Sequence, residues 1–266
     1  MLKRKLDTSE IKLEGMIDTH VHTKPDIKPR LKDDISVAKD AKKEKMKALV
    51  IKSHGESTVG RAQLATDLVG IDVFGGIVLN ENVGGINPNA VEVTAKLGGK
   101  IVWLPTVSID KININKNSLE DVIIIVAEND MVLATGHLKP SQIFQVLDIA
   151  QEYNLKKILI NHPLTKVVGA NLDEQKEMGK YGFLEHCFVA CMPKPKHDGL
   201  DVTKIVESIK YVGYKRCILA TDFGQIHNPP PVLGLKIFIK ELMCHGISWK
   251  HVKYMTSVNP KKLLYM

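Results

Sequence analysis

Eight short apolar runs, alternating with stretches of helical spacing, restrict the fold of this chain more than any other feature. The runs occupy residues 16–23, 48–53, 72–79, 100–104, 131–135, 157–160, 183–189 and 217–220. Helices are predicted over 33–45, 59–68, from 88 onward, and over 119–128, 140–153, 172–180 and 201–211. Strands that alternate with helices pair in parallel through crossovers, and eight such units predict closure into a (β/α)8 TIM barrel of the α/β class, with some distortion allowed. An open doubly wound sheet is the alternative, but it gathers functional groups only near one switch point. Here ligand-type side chains follow five different strands, which favours a ring.

Those side chains keep phase with the strands. Period-2 alternation points His20 and His22 the same way at the end of the first run. A His-x-His pair alone is weak, because alternation also places histidines together in ordinary packing. The pair gains weight from His54, His137, His162 and Asp222, each just after another apolar run. The plainer reading of His137 and His162 is a histidine bonded to a neighbouring strand. Lys52 lies two residues before His54 and so faces the same way. Of Glu185 and His186, alternation lets only one face inward, and Glu185 is expected there. His197, His227, His245 and His251 are read as surface residues.

Composition narrows the rest. With 266 residues, 44% of them hydrophobic, the chain can bury a large core, and a single domain over 1–266 is expected. The net charge of +7 comes almost wholly from lysines spread along helix faces, without aromatic-interleaved basic patches. That pattern argues for a solvated surface and against a nucleic-acid footprint. The partner expected is a small-molecule substrate, with no nucleic acid and no membrane, and a homo-oligomer is possible. No run is long enough for a membrane span and the first residues lack an apolar signal core, so a soluble, cytoplasmic protein is expected. Cys187, Cys191, Cys217 and Cys244 lack zinc-ribbon spacing and read as reduced thiols. Arginines are scarce; Arg30 and Arg61 fall after site strands, where a guanidinium can clamp an anion, or else serve as surface charge.

Taken in order, His-x-His after strand one, His137 and His162 after strands five and six, and Asp222 after strand eight resemble the amidohydrolase superfamily of metal-dependent hydrolases. The closing segment Asn259-Pro260-Lys261-Lys262-Leu263-Leu264 resembles the helix that often ends those barrels. Asp18-Thr19-His20-Val21-His22, Lys52-Ser53-His54, Asn161-His162-Pro163, Glu185-His186-Cys187 and Thr221-Asp222-Phe223-Gly224-Gln225 resemble more narrowly an uncharacterised amidohydrolase-like family. Lys52-Ser53-His54 is also similar to a motif of histidinol-phosphatase-like phosphoesterases, although their final Asp-x-His is missing here.

The resemblance implies a metal site of His20, His22, His137 and Asp222, with His162, His54 and Glu185 as further ligands. Zinc is the expected ion, one or two per site, with manganese or iron as alternatives. Asp222 and His162 are the implied catalytic groups; Arg30, Lys52 and Arg61 are the candidate substrate contacts. Binuclear members commonly bridge their ions with a carboxylated lysine from strand four, where this chain offers Trp103-Leu104-Pro105. A two-metal site would therefore need Glu185 or a carboxylated Lys52 as its bridge. The implied reaction is attack of activated water on a C–N or C–O bond of a small polar or anionic substrate. A decarboxylase or phosphoesterase on the same barrel, and a barrel with a non-catalytic metal, are the alternatives.

Overall fold

The computed structural model describes residues 7–112 and 114–265; the amino-terminal stretch expected to lack a signal core lies mostly outside them. Its strands are β1 (Ile17–His22), β2 (Ala48–Lys52), β3 (Asp72–Phe74), β4 (Gly76–Val78), β5 (Ile101–Trp103), β6 (Val132–Ala134), β7 (Ile158–Asn161), β8 (Phe183–Cys187) and β9 (Cys217–Ala220). All paired neighbours run parallel, in the orders β1-β2-β3 and β4-β5-β6-β7-β8-β9. The protein is α/β with the TIM-barrel arrangement.

The third run, expected as one strand over 72–79, is divided at Gly75. Its first half pairs with β2 and its second with β5, so the chain changes partner there. A Cβ on Gly75 would lie 2.6 Å from the Thr58 carbonyl oxygen, so only glycine lets the two backbones approach this closely. The Thr58 N–H donates to Gly76 O at 2.9 Å and its hydroxyl lies 3.2 Å from the same oxygen, tying the two sheets together. Thr58 directly precedes the helix Val59–Val69, and the neighbouring Ser57 hydroxyl is buried without a hydrogen-bond partner among the described residues. On the other side of the ring β9 lies beside β1: Asp222 N–H donates to His20 O at 2.9 Å and His22 N–H to Phe223 O at 2.8 Å. Buried Asp18 strengthens that seam, accepting from Thr221 Oγ1 at 2.6 Å and from the His20 and Thr221 amides at 3.2 and 3.1 Å.

Alternation along the strands divides the core into layers. Ile17, Ala48, Val50, Val78, Ile101, Trp103, Val132, Leu159 and Ile218 fill the barrel, and Leu263 and Leu264 from the last helix, Asn259–Tyr265, pack against them. Burying each such side chain contributes about 1.5–3 kcal/mol relative to leaving it exposed. Asn259 fixes this helix by donating from Nδ2 to the carbonyls of Cys217 at 2.7 Å and Tyr214 at 3.0 Å. No helix among the described residues is long and apolar enough to cross a membrane.

His186 points out of the barrel and is 1% exposed, its Nε2 3.4 Å from Ser208 Oγ. Burial pulls its pKa down to about 4. Between that value and the ordinary histidine value, the unfolded chain takes up a proton that the folded chain refuses. This share of stability is therefore complete above about pH 6.5 and is lost as pH falls toward 4. Urea midpoints of the unaltered protein and of His186→Asn at pH 7 and pH 5 measure it: the unaltered protein should lose more stability than the variant by an amount on the order of 2 kcal/mol.

Candidate metal centre

Three side chains converge at the carboxyl ends of β1 and β9. His22 Nε2 lies 3.0 Å from Asp222 Oδ1 and His20 Nε2 lies 3.4 Å from the same oxygen. All three ligand atoms fall within 4.8 Å of one another. Metal–ligand distances of about 2.0–2.2 Å put tetrahedral ligand atoms roughly 3.3–3.6 Å apart, so two imidazoles and a carboxylate at this spacing fit a divalent cation. A bulge in β1 produces the convergence: Asp18 and Val21 face Leu49 and Ile51, so three steps on β1 answer two on β2. The bulge turns Thr19, His20 and His22 inward while Val21 joins the outer core.

Backbone strain marks the same place. The non-glycine residues with positive φ are Lys45, Asp130, Asn154, His162 and Asp222; the first three follow helix ends, but His162 at 25° and Asp222 at 53° terminate strands. Such backbone costs about 1–3 kcal/mol and persists where the surroundings hold it. Gly224, at φ 140°, presses on this turn, since a Cβ there would lie 1.9 Å from His22 O.

The partners of each ring set its chemistry. His20 Nδ1 lies 2.9 Å from Glu185 Oε2, which leaves Nε2 toward Asp222 and toward Lys52 Nζ at 3.1 Å. Glu185 also accepts from Thr19 Oγ1 at 2.5 Å and from Asn161 Nδ2 at 2.8 Å. It faces inward as expected, yet it sits behind His20, across the ring from Asp222. It cannot share with Asp222 a cation held at His20 Nε2, so the bridging position expected for it is not where the fold puts it. Although burial opposes ionisation, hydrogen bonds and the His20 ring hold Glu185 below the ordinary carboxylate range. Burial works against Asp222 too, but His20 and His22 keep its carboxyl well below its ordinary value.

His162 and His137 line the same cavity, their ring centroids 5.0 Å apart, but neither belongs to the three-atom group. The Thr165 hydroxyl donates to His162 O at 2.8 Å and therefore accepts from His162 Nδ1 at 3.0 Å, leaving Nε2 unprotonated. Burial pulls His162 down to about 4 and His137 well below its ordinary value, so both rings are neutral at pH 7. Lys52 is 2% exposed with Nζ 5.3 Å from the Trp103 ring centre, and burial lowers its pKa.

Further expectations change. His54 stacks on His22 with centroids 4.6 Å apart and turns Nδ1 toward Arg30 and Asp26, away from the His20–His22–Asp222 group. Arg61 does not line the cavity: Nε and Nη2 grip Asp34 at 2.8 and 2.9 Å, and Nη1 reaches Glu56 and the Pro25 carbonyl. It braces the loop after β1. Arg30, Lys52 and His54 do line the cavity of about 400 Å³, and His197 and His227, read from sequence as surface residues, stand at it with Lys28 and Lys196. Asp26, which follows Pro25 in the loop after β1, had no role in the sequence reading. A larger groove of about 640 Å³ beside the helix Pro140–Glu152 contains none of these groups.

The arrangement is that of a TIM barrel. An amidohydrolase from Pseudomonas aeruginosa superposes with a TM-score of 0.71 at 13% identity, over 97% of this chain and 98% of that one. A probable 2-pyrone-4,6-dicarboxylic acid hydrolase from Acinetobacter baumannii, with citric acid bound, gives 0.67 at 14% over 94% and 98%. An organophosphorus hydrolase from Deinococcus radiodurans gives 0.64 at 12% over 97% and 94%. At such identities the likeness is one of fold. Residues 15–185 match a family of unknown function, DUF6282, and the chain belongs to it. No curated protein matches the chain in sequence.

Proposed function

We propose that this protein is a metal-dependent hydrolase that directs water at a C–O or C–N bond of a small anionic substrate. The observation that carries the reading is the convergence of His20 Nε2, His22 Nε2 and Asp222 Oδ1 at the wall of a cavity that His22 and Asp222 line and whose other charged walls are mostly basic. A divalent ion held by those three atoms, zinc before manganese or iron, supplies Lewis acidity and makes water acidic near neutral pH. Holding it requires His22 to carry its proton on Nδ1, toward Asp26 Oδ2 at 3.8 Å. Asp222, ionised and at the cavity wall, takes the proton of the attacking water. Neutral His137 faces the same space and donates to the oxygen on which charge develops, whereas His162, its Nδ1–H held by Thr165, presents an unprotonated Nε2 that can accept a proton. Lys28 and Lys196 at the cavity, with Lys52 deeper, draw in and orient an anionic substrate. The hydrolases that share the fold support the choice of reaction.

The test is metal analysis of protein purified without added ions, followed by a panel of lactones, amides and phosphoesters in 18O-labelled water. Metal-stimulated turnover with label in the product is expected. Carbon dioxide release without label would make the protein a lyase, and phosphate release a phosphoesterase. Folded protein with neither bound metal nor metal-stimulated turnover would end the reading.

A further inference from the structure

We infer that the Arg30 guanidinium is a built-in second cation that limits the centre to one metal ion. The inference rests on the metal-dependent reading above. Beyond His20, His22 and Asp222, two further sets among the described residues have metal-ligand spacing. In His20, Glu185 and Cys187, the His20 Nδ1–Glu185 Oε2 hydrogen bond at 2.9 Å already engages both atoms. In His22, His54 and Asp26, the atoms His22 Nδ1, His54 Nδ1 and Asp26 Oδ2 face one another. Arg30 Nη2 stands among these atoms, 3.1 Å from His22 Nδ1, 2.9 Å from His54 Nδ1 and 2.7 Å from Asp26 Oδ2. A positive nitrogen thus occupies the place a second ion would take, and His22 could serve such an ion only after losing its Nδ1 proton.

The surroundings fix it there. Arg30 Nε also donates to Asp26 Oδ2 at 2.7 Å, so the guanidinium meets one oxygen with two donors. The other oxygen, Oδ1, accepts from the His54 N–H at 3.1 Å. The side chains of Arg30 and Asp26 are 2% and 0% exposed. The His22 and His54 rings stack within 5° of parallel, which turns both Nδ1 atoms to the same side. The guanidinium charge opposes a metal cation at this spot. His54 consequently acts as a positioning residue for Arg30 and for the His22 ring. Arg30 thereby removes from the ligand surplus that suggested two ions the set on the Nδ1 side of His22.

Saturating metal titration of the metal-stripped protein, with bound ion counted by inductively coupled plasma mass spectrometry, tests this. One equivalent is expected for the unaltered protein, two for Arg30→Ala, and one for Arg30→Lys, which keeps a cation. Arg30→Ala with His54→Ala should return to one. Two equivalents in the unaltered protein would overturn the inference while leaving the hydrolase reading intact; none would overturn both. A folded Arg30→Ala protein that still binds one would show that arginine blocks nothing. If circular dichroism shows that the alanine variant does not fold, the unaltered protein and Arg30→Lys decide: one equivalent in each supports the inference and two in either overturns it.

Discussion

Asp222→Asn is expected to lose bound metal and turnover together while keeping the fold. Asparagine matches the shape of aspartate and tolerates the left-handed backbone found at this position, φ 53°, so the β9 turn survives. The charge does not. Without it the centre has two imidazoles facing Lys52 and Arg30, with no carboxylate among the three ligand atoms. Loss of the proton acceptor alone lowers turnover by about 10²–10⁴-fold. His20→Ala should give the same loss of metal, though less cleanly, because it leaves the buried Glu185 oxygen facing a gap. Metal content, the circular dichroism spectrum and the rate on the best panel substrate check this; an asparagine variant with full metal content would remove Asp222 from the ligand set.

What the sequence made legible follows from local rules. Short apolar runs with ligand-type residues at their ends predicted the strand positions, and for β9 the expected bounds 217–220 are those observed. Alternation chose correctly between Glu185 and His186, because a strand side chain has only two directions to face. The division at Gly75 was hidden, since it depends on the approach of Thr58 from another loop. So was the bulge in β1, which a pairing register defines and one strand alone does not.

The roles of charged groups were the least legible. Arg30 and Arg61 look alike in sequence, each an arginine after a site strand, yet one enters the centre and the other binds Asp34. Their fates are set by how the loop over 23–33 folds back, with Asp26 and Asp34 as the anchoring carboxylates. Residue type says that a guanidinium will find an anion; it does not say which. Glu185 shows the same limit, since its partner His20 lies 165 residues away.

Glu185→Gln should bind metal about 10–100-fold more weakly than the unaltered protein, the usual effect of losing a carboxylate behind a ligating histidine. The carboxylate accepts the His20 Nδ1 proton, which fixes the tautomer and makes Nε2 a better donor to a cation. Glutamine can keep its oxygen toward His20 and Asn161 and turn its amide nitrogen to the Thr19 hydroxyl, which can accept, so the buried network stays paired. Only the charge is lost. Glu185→Ala strips the acceptor from Thr19, His20 and Asn161 at once in a fully buried place, and each unpaired group costs about 1–3 kcal/mol. The alanine protein is therefore expected to unfold at much lower urea concentration, whereas the glutamine protein melts near the unaltered one. Competitive titration against a chromophoric chelator gives the affinities. Unchanged affinity in the glutamine variant would mean that Glu185 does not tune His20; complete loss of binding with the fold intact would put the carboxylate on the ion itself.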